Sequence, residues 1–357
     1  MKILLLGDFS AVNINLKHGL ENYGCQVSIA SIGDGTGEFY RDIDLRSKFE
    51  IKKKTNRFYN YWNKLANTIH CIKILNKLLG YDIVQFINID SFGNIFFPSL
   101  FRNIVIRNSK KSILYSCGTD LSMLQAIVSG KFKYSPFDNP ADIFNKMAKS
   151  SKSYFKFIEN IDYIICASYT YYMGMKDYPN FFNIIPLPYY INKDPIIKEC
   201  AFDRKIVIYY SPRRPEFKGA KFIIPALKRI SAKYNERAEI IINNRLPFNK
   251  YIEEISKVDI IIDQCRSYDY GMNAIIAMAQ GKVVLSGSEK EATDIYEVEN
   301  CPIINIIPDE EQIYNILEYL INHPEKINEL KYKSVEYVKQ VHDANVIAKK
   351  FISVYNL

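Results

Sequence analysis

Short apolar runs alternate with stretches of helical spacing along most of the chain. Residues 2–6 form a continuous apolar run, which is typical of a strand buried on both faces, and helical spacing over 13–23 leads to a second run over 27–31. Gly24, directly after the helical stretch, marks the end of that helix. Three more apolar runs predict strands over 81–86, 112–117 and 161–167. Because the predicted strands are separated by helices, the sheet should be mostly parallel.

The pattern breaks near residues 186–195, where prolines and asparagines cluster, and then starts again. We interpret this stretch as a linker. The second set predicts strands over 205–210, 238–242, 258–263, 283–286 and 303–307, and helices over 220–234, 249–256, 271–280, 310–322 and 344–355. The predicted fold class is therefore α/β, with two Rossmann-like, doubly wound domains facing a cleft, over residues 1–188 and 189–340.

Composition and cysteine usage mainly exclude classes of protein. The chain has 357 residues, of which 48% are hydrophobic and 24% charged, as in a soluble globular protein of two domains. Its seven cysteines include no C-x-x-C pair and its four histidines show no metal-ligand spacing, so we expect reduced thiols, a cytoplasmic location and no metal. No signal peptide is expected, and no apolar stretch reaches the roughly 18 residues that a membrane span requires.

The net charge of +8 is concentrated in one segment. Residues 46–77 carry nine Lys or Arg residues and one acidic residue, Glu50. The same segment has a predicted helix face of apolar residues at steps of three and four: Phe58, Trp62, Leu65, Ile69, Ile72, Leu75 and Leu79. In one interpretation this face packs on the sheet and the lysines are solvated. A second interpretation, compatible with the first, places four cations on an anionic membrane: Lys52, Lys53, Lys54 and Arg57. Nucleic acid is not expected, because no known nucleic-acid-binding motif accompanies the charge.

Loops that follow strands are the candidate sites, because parallel sheets bind ligands beyond the carboxyl ends of their strands. After the strand over 205–210, Arg213, Arg214 and Lys218 precede a helix at about Ala220. Cations beside the amino end of a helix favour a phosphate or diphosphate, although a solvated basic loop is the equally weighted alternative. A second loop, over 268–274, brings Gly271 before another helix, where a ligand can approach backbone amides closely.

In the N-terminal half, polar and glycine residues follow the first and fourth strands. Gly7, Asp8 and Ser10 come after the first strand, and Gly118 and Asp120 after the fourth, so all should lie on the cleft side. Asp120 could bind the hydroxyl groups of a ligand or act as a base, or it could equally cap the helix that starts at residue 121.

Taken together, the two C-terminal loops resemble the C-terminal domain of GT-B glycosyltransferases, and most closely the large retaining family numbered four. Phe217-Lys218-Gly219 resembles the K-G motif of that family. Gly271 with residues 277–284 resembles its G-x-x-x-x-E-A-M-A-x-G-x-P-V segment. The N-terminal half agrees more loosely, over residues 2–6, 20–27, 81–84, 118–121 and 184–188.

This resemblance implies transfer of a sugar from a UDP- or GDP-linked donor to a glycan or lipid-linked acceptor in surface polysaccharide biosynthesis, such as lipopolysaccharide or capsule. It implies retention of configuration, no metal and no cofactor beyond the donor. The nucleotide would bind the C-terminal domain, the acceptor the N-terminal one, and the helix within 341–357 would cross back to the N-terminal domain. The enzyme would be cytoplasmic, or peripheral on the inner face of the plasma membrane. Arg213 or Arg214 and Lys218 would stabilise the charge that develops on the leaving phosphate.

The sequence departs from the family at its paired glutamates, which fall at Tyr268 and Ile276. An apolar Ile276 cannot accept ribose hydroxyls. The expected donor-side residues are therefore Asp263, Gln264, Tyr268, Asp269, Tyr270, Gly271, Met272 and Asn273, with Asp269 one residue from the first glutamate position. A non-catalytic relative that binds sugar nucleotide or a protein partner, and a sugar-nucleotide epimerase, stay open as alternatives. An epimerase would need acidic residues and histidines in the cleft, and the sequence does not place a convincing set there.

Overall fold

The computed structural model describes residues 1–33, 40–51, 57–200, 204–243, 246–296 and 300–357. Lys52, Lys53 and Lys54 lie outside these described residues. Within the described ranges the chain forms two separate parallel β-sheets, each flanked by helices, which confirms the predicted α/β class with two doubly wound units.

The first sheet has seven strands, all parallel, in the order β3-β2-β1-β4-β5-β6-β7. These strands are β1 (Lys2–Leu6), β2 (Gln26–Ser31), β3 (Ile43–Asp44), β4 (Ile83–Phe86), β5 (Lys111–Ser116), β6 (Tyr163–Cys166) and β7 (Phe181–Ile184). The helices are α1 (Val12–Asn22), α2 (Arg57–Ile74, followed by a 3-10 turn at Leu75–Leu78), α3 (Pro98–Arg107), α4 (Leu121–Val128), α5 (Pro140–Ala148), α6 (Ser151–Glu159) and α7 (Tyr169–Met175). Residues 3–6 of the central strand are fully buried because helices cover both faces of the sheet.

The second sheet has five parallel strands in the order β12-β11-β10-β8-β9. Its strands are β8 (Ile206–Tyr210), β9 (Ala238–Ile242), β10 (Ile260–Ile262), β11 (Val283–Ser286) and β12 (Ile304–Asn305). Its helices are α8 (Pro215–Lys218), α9 (Ala220–Lys233), α10 (Phe248–Ile255), α11 (Met272–Ala279), α12 (Lys290–Thr293, followed by a 3-10 turn at Asp294–Tyr296), α13 (Glu310–Asn322) and α14 (Pro324–Val341).

Each sheet has one point where the strand order reverses. In the first sheet the reversal lies between β1 and β4, and in the second between β8 and β10. The loops after these strands diverge to opposite faces of the sheet and leave a crevice at its carboxyl edge. These two crevices are therefore the places where the fold itself offers room for a ligand.

The chain crosses between the two units twice, and the two crossings pair with each other. Tyr189 donates its N–H to the carbonyl of His342 at 2.7 Å, and Ala344 donates to the carbonyl of Tyr189 at 2.9 Å. After the second crossing, α15 (Ala344–Tyr355) packs against α1 of the first unit. The Tyr355 hydroxyl then donates to Gln85 on β4 at 2.7 Å. The last helix is thus part of the hydrophobic core of the N-terminal half.

The structure corrects one expectation about α2. Within the helix its apolar face does not pack on the sheet, since Phe58 is 67% exposed and Ile72 59% exposed. Leu75 and Leu79, which follow the helix, do pack against the core of the first sheet. The residues of this helix that are buried are Asn63, Asn67, Thr68 and Cys71. The helix forms as predicted, but its polar face is the one that lies against the protein. The polar side chains on that face form hydrogen bonds with the backbone of adjacent segments.

None of the helices in the described part of the chain combines the length and apolar character that crossing a bilayer requires.

The contact between α1 and α15 generates a first prediction. A Cβ atom added to Gly19 would lie 2.0 Å from the carbonyl oxygen of Ala344, which is backbone and cannot move away alone. Gly19→Ala should therefore lower the free energy of unfolding by about 1–3 kcal/mol through overpacking, although alanine alone would favour the helix by roughly 1 kcal/mol. Urea unfolding measures this, with the exposed Glu21→Ala as a control on the same helix. A stabilised Gly19→Ala variant would contradict the close packing.

Candidate functional site

Lys218 and Asp263 meet at the strand-order reversal of the second sheet. Lys218 ends α8, just after β8, and Asp263 directly follows β10. The Lys218 ammonium lies 2.6 Å from one carboxylate oxygen of Asp263. The Lys218 side chain is 13% exposed and the Asp263 side chain 3%, so the lysine is the partner that a ligand in the crevice can reach. The pairing arises because β8 and β10 are neighbours and release their loops at the same sheet edge.

Three neighbouring side chains hold this ion pair in position. Asn273, in the first turn of α11, donates its amide to the same Asp263 oxygen at 2.9 Å. Ser286, at the end of β11, donates to the other oxygen at 3.3 Å. The Tyr251 hydroxyl donates to the Asn273 carbonyl oxygen at 2.5 Å, which fixes the orientation of that amide. The structure thus brings Lys218, which we predicted as a catalytic residue, together with Asp263 and Asn273, which we predicted on the donor side, and the three form a polar cluster.

Two glycines shape the backbone around this cluster. Gly219 has a φ of +80°, and a Cβ there would lie 2.3 Å from the Cys265 sulfur, so both conformation and space require glycine. Gly271 has no neighbour within 4 Å of an added Cβ, and it precedes α11 without a side-chain cap on the first turn. No side chain caps the first turn of α11, so an anion could accept its leading N–H groups.

Arg213 and Arg214 lie on the surface of the same loop. The Arg213 guanidinium donates to the carbonyl of Leu246, which follows β9, at 2.9 Å. The Arg214 guanidinium lies 4.0 Å from the centre of the Phe217 ring. Both side chains are exposed and neither bonds to the Lys218–Asp263 pair. Of the three predicted cations, only Lys218 is built into the crevice in this conformation.

Two other predicted donor-side residues, Tyr268 and Asp269, connect the two units of the fold, and Gln264 supports their loop. Asp269 accepts from the Ser168 hydroxyl at 2.9 Å and from the Thr170 N–H at 2.8 Å, at the amino end of α7. Burial raises the pKa of its carboxyl. The Tyr268 hydroxyl accepts the N–H of Lys133 at 2.8 Å, and Gln264 donates its amide to the carbonyl of Asp269. Tyr268 and Asp269 therefore hold the C-terminal loop against the N-terminal half.

Residues 133–138, between α4 and α5, complete this contact from the other side. Tyr134 donates its hydroxyl to Glu289 at 2.6 Å, and Arg266 donates to the carbonyl of Ser135 at 2.9 Å. The Phe137 and Phe217 rings pack edge to face at 5.5 Å. Sequence reasoning missed Arg266, Glu289 and Tyr134, because nothing local in the sequence indicates which residues meet across a cleft.

Tyr270, Met272 and Ile276 belong to the core, with exposures of 5–8%. The Tyr270 hydroxyl lies 2.9 Å from Nε2 of His342 and 3.0 Å from the Tyr337 hydroxyl. Nδ1 of His342 is 2.8 Å from the carbonyl of Leu187, which requires the proton on Nδ1 and makes Nε2 an acceptor for Tyr270. Burial lowers the pKa of His342 to about 4. Tyr270 thus belongs to a buried polar network with Tyr337 and His342, not to the Lys218 cluster.

The residues predicted on the acceptor side lie at the carboxyl edge of the first sheet. Gly7 has a φ of +83°, and an added Cβ would lie 2.6 Å from Ile87, so no larger residue fits. Asp8 accepts from the Asn13 N–H at 2.9 Å, which fastens the loop to the start of α1. Ser10 has a φ of 50°, in the left-handed region that is uncommon for serine. Gly118, with a φ of +94°, lies near the ring of Phe9 in the loop after β1, so the two loops are adjacent.

Asp120 caps α4. Its Oδ1 accepts the N–H of Met123 at 2.8 Å, and the Ser116 hydroxyl donates to Oδ2 at 3.3 Å. Burial outweighs these hydrogen bonds and raises the pKa of the carboxyl to about 6. Of the two predicted roles of Asp120, the structure shows the helix cap. The role as a base stays a prediction. Within the described ranges, no three His, Cys, Asp or Glu side chains gather where they could hold a metal ion.

Comparisons with known proteins bear on the fold. No protein-family model matches the sequence, and no curated protein matches it. Sucrose-phosphate synthase from Thermosynechococcus elongatus is 12% identical with a TM-score of 0.66, and the match covers 100% of this chain and 98% of that one. Anabaena HepE, solved in complex with UDP-glucose, is 14% identical with a TM-score of 0.61, over 100% of this chain and 99% of that one. UDP-GlcNAc 2-epimerase from Neisseria meningitidis, bound to UDP-GlcNAc, is 12% identical with a TM-score of 0.55, over 99% of each chain.

These matches extend over both sheets and the last helix. Two parallel, doubly wound units that face each other define the class of GT-B proteins. The chain has the GT-B fold that glycosyltransferases use, and the fold expected from the sequence resemblance is confirmed.

The buried cap of α4 generates a second prediction. A carboxyl with a higher pKa in the folded chain than in the unfolded chain favours folding at low pH, and this contribution is lost as the pH rises from about 4 to about 6. Asp120→Asn keeps a capping oxygen and does not titrate. Only the wild type loses this contribution as the pH rises. The difference in unfolding free energy between the variant and wild type should therefore shift in favour of the variant by up to about 3 kcal/mol between about pH 4 and about pH 7, at roughly 1.4 kcal/mol per pKa unit. Urea unfolding at both pH values measures the difference, and parallel pH profiles would contradict it.

Proposed function

We propose that the protein is a glycosyltransferase that moves a sugar from a UDP- or GDP-linked donor to a glycan or lipid-linked acceptor. One observation carries this proposal: a reachable lysine, Lys218, is held by Asp263 at the reversal point of the second sheet, beside the uncapped amino end of α11. Asn273 bonds the same Asp263 carboxylate. A cation and free helix N–H groups at one crevice suit a diphosphate. The solved structures with UDP-glucose or UDP-GlcNAc that share this fold support a nucleotide-sugar ligand.

In this proposal, the donor diphosphate lies between Lys218 and the first turn of α11. The bond between the anomeric carbon and the phosphate oxygen breaks, and its electron pair stays on the leaving diphosphate. The acceptor oxygen forms the new bond, and its proton passes to an oxygen of the leaving diphosphate. Lys218 stabilises the charge that develops on the β-phosphate. Arg213 and Arg214, being exposed on the same loop, would turn toward the diphosphate when it binds.

The finer parts of the proposal rest on the sequence resemblance. They are retention of configuration, charge compensation by Lys and Arg without a metal, and a role in surface polysaccharide biosynthesis. The acceptor would lie at the carboxyl edge of the first sheet, beside Gly7, Asp8, Ser10 and Gly118. We further propose a peripheral location on the inner face of the plasma membrane, with Arg57 and the three lysines at 52–54 on anionic lipid.

Two alternatives give different outcomes in one assay. An epimerase would convert one UDP-sugar into its epimer without releasing UDP. The structural similarity to UDP-GlcNAc 2-epimerase is the reason to include this candidate. A non-catalytic relative would bind a sugar nucleotide and leave it unchanged.

The third prediction tests nucleotide binding and turnover. We expect at least one of UDP and GDP to raise the melting temperature, since a ligand that binds only the folded state stabilises it. Incubation of the protein with UDP- and GDP-sugars and candidate acceptors should release the matching nucleotide. Absence of any thermal shift across the panel would refute the proposed donor class, and an epimerised sugar without released UDP would favour the epimerase.

The fourth prediction assigns the effect to Lys218. Lys218→Ala should lower kcat by about 10²–10³-fold, the usual effect of removing one group that stabilises transition-state charge. Lys221→Ala, an exposed lysine on α9, is the matched control and should keep wild-type turnover. Because removal of Lys218 leaves Asp263 buried, Lys218→Met/Asp263→Asn is made in parallel, so that no unpaired carboxylate remains to disturb folding. Folded variants with wild-type turnover would exclude Lys218 from the chemistry.

A further inference from the structure

Helix α2 exposes its apolar face and buries its polar one. Six large side chains on this helix are exposed, by 36–67%: Phe58, Tyr61, Trp62, Leu65, Ile69 and Ile72. At 3.6 residues per turn, all six fall within an arc of roughly 100°. A surface helix of a globular protein normally turns such a stripe toward the core.

Directional hydrogen bonds hold the helix in this orientation. The Asn63 side chain bonds both the N–H and the carbonyl of Ile51, at 2.8 and 2.9 Å. Asn67 accepts the N–H of Ser47 at 2.8 Å, and the Thr68 hydroxyl accepts the N–H of Phe96 at 2.8 Å. Rotation of the stripe toward the sheet would leave these backbone groups without partners, at a cost of about 1–3 kcal/mol each. The outward apolar stripe is therefore a stable property of the fold.

Neighbouring aromatic residues enlarge the stripe. Phe49 is 75% exposed and its carbonyl accepts the Trp62 indole N–H at 3.3 Å. The Tyr61 ring contacts the Phe96 ring at 5.3 Å, and Phe96 adjoins Phe97, which is 72% exposed. We call the following set the α2 surface: Phe49, Phe58, Tyr61, Trp62, Leu65, Ile69, Ile72 and Phe97. Single exposed apolar residues are ordinary, but a connected set indicates a binding surface.

The charges around the α2 surface point to an anionic occupant. Arg57, Lys64 and Lys73 are on α2 itself, and the described residues of the surrounding segment, 46–51 and 57–77, carry six cations and one acidic residue. Two copies packed through this face would bring these positive charges together, which opposes self-association. Aromatic and aliphatic side chains bordered by cations are typical of helices that lie in the interface of an anionic bilayer.

We propose that the α2 surface inserts into the interface of an anionic lipid bilayer, with its apolar side chains at the boundary of headgroups and acyl chains. This extends the proposed membrane contact from electrostatic attraction to hydrophobic insertion, and it does not depend on the donor chemistry. Thr68 on α2 accepts a hydrogen bond from the segment that follows β4. That segment leaves the first sheet at the point where the strand order reverses. Insertion would therefore bring the acceptor edge of the first sheet near the bilayer, where the saccharide of a lipid-linked acceptor lies.

Trp62 is the single tryptophan of the chain, so its fluorescence reports on the α2 surface alone. The full-length protein is mixed with vesicles of phosphatidylcholine, or of phosphatidylcholine with phosphatidylglycerol. With the anionic vesicles we expect a blue shift of the emission, quenching by brominated acyl chains, and sedimentation of the protein. Ile69→Gln/Ile72→Gln should weaken vesicle partition by roughly tenfold or more, because it removes apolar area from the inserted face. The control Ile196→Gln/Val346→Gln changes exposed apolar residues elsewhere and should bind like wild type.

Unchanged Trp62 emission with anionic vesicles would overturn the proposal, and so would equal loss of binding in both double variants. A blue shift that appears without vesicles and rises with protein concentration would assign the surface to a second copy instead. The thermal shift with UDP or GDP is measured on the same variants and should equal that of wild type. A protein that binds vesicles without binding nucleotide would refute the proposed function alone, and the reverse result would refute the insertion alone.

Discussion

The double crossing of the chain between its two units is the constraint on which the rest of the structure depends. Tyr189 and residues 342–344 pair by backbone hydrogen bonds, so the linker and the start of the last helix are fastened to each other. His342 joins this crossing to the interior, through the Leu187 carbonyl on one nitrogen and Tyr270 on the other. With the units joined here, loops at the carboxyl edges of the two sheets contact each other, as Asp269 does with Ser168 and Thr170.

Much of the fold follows from the sequence, because buried strands and amphipathic helices leave local patterns. The predicted bounds of β1, β9, β11 and α13 agree with the structure residue by residue, since each is an apolar or periodic run between turn residues. Helix α14 was not predicted, although Ile327, Leu330 and Val338 are buried on it at helical spacing. For α2 the pattern correctly predicted an amphipathic helix. It could not show which face meets solvent, because that depends on hydrogen bonds from Asn63 and Thr68 to segments distant in sequence.

The candidate site, like the fold, could be predicted from the sequence only in part. Lys218 and Asp263 lie 45 positions apart, and their meeting follows from the adjacency of β8 and β10, which the doubly wound class predicts. Contacts across the cleft could not be predicted, because they depend on how two separately patterned units face each other. Tyr268 and Asp269, which motif alignment placed near the donor, bond the N-terminal half in the structure.

The contact of Asp269 with α7 has a consequence for motion between the halves. The amino end of this seven-residue helix is satisfied by a carboxylate that belongs to the opposite half, not by a side chain of its own. If the halves swing apart, the helix loses that acceptor and its first turn is free to fray. The buried carboxylate meanwhile returns to water, where ionisation is easier. Separation of the halves, local helix order and the charge of one side chain are therefore thermodynamically linked, so a condition that shifts any one of them shifts the other two.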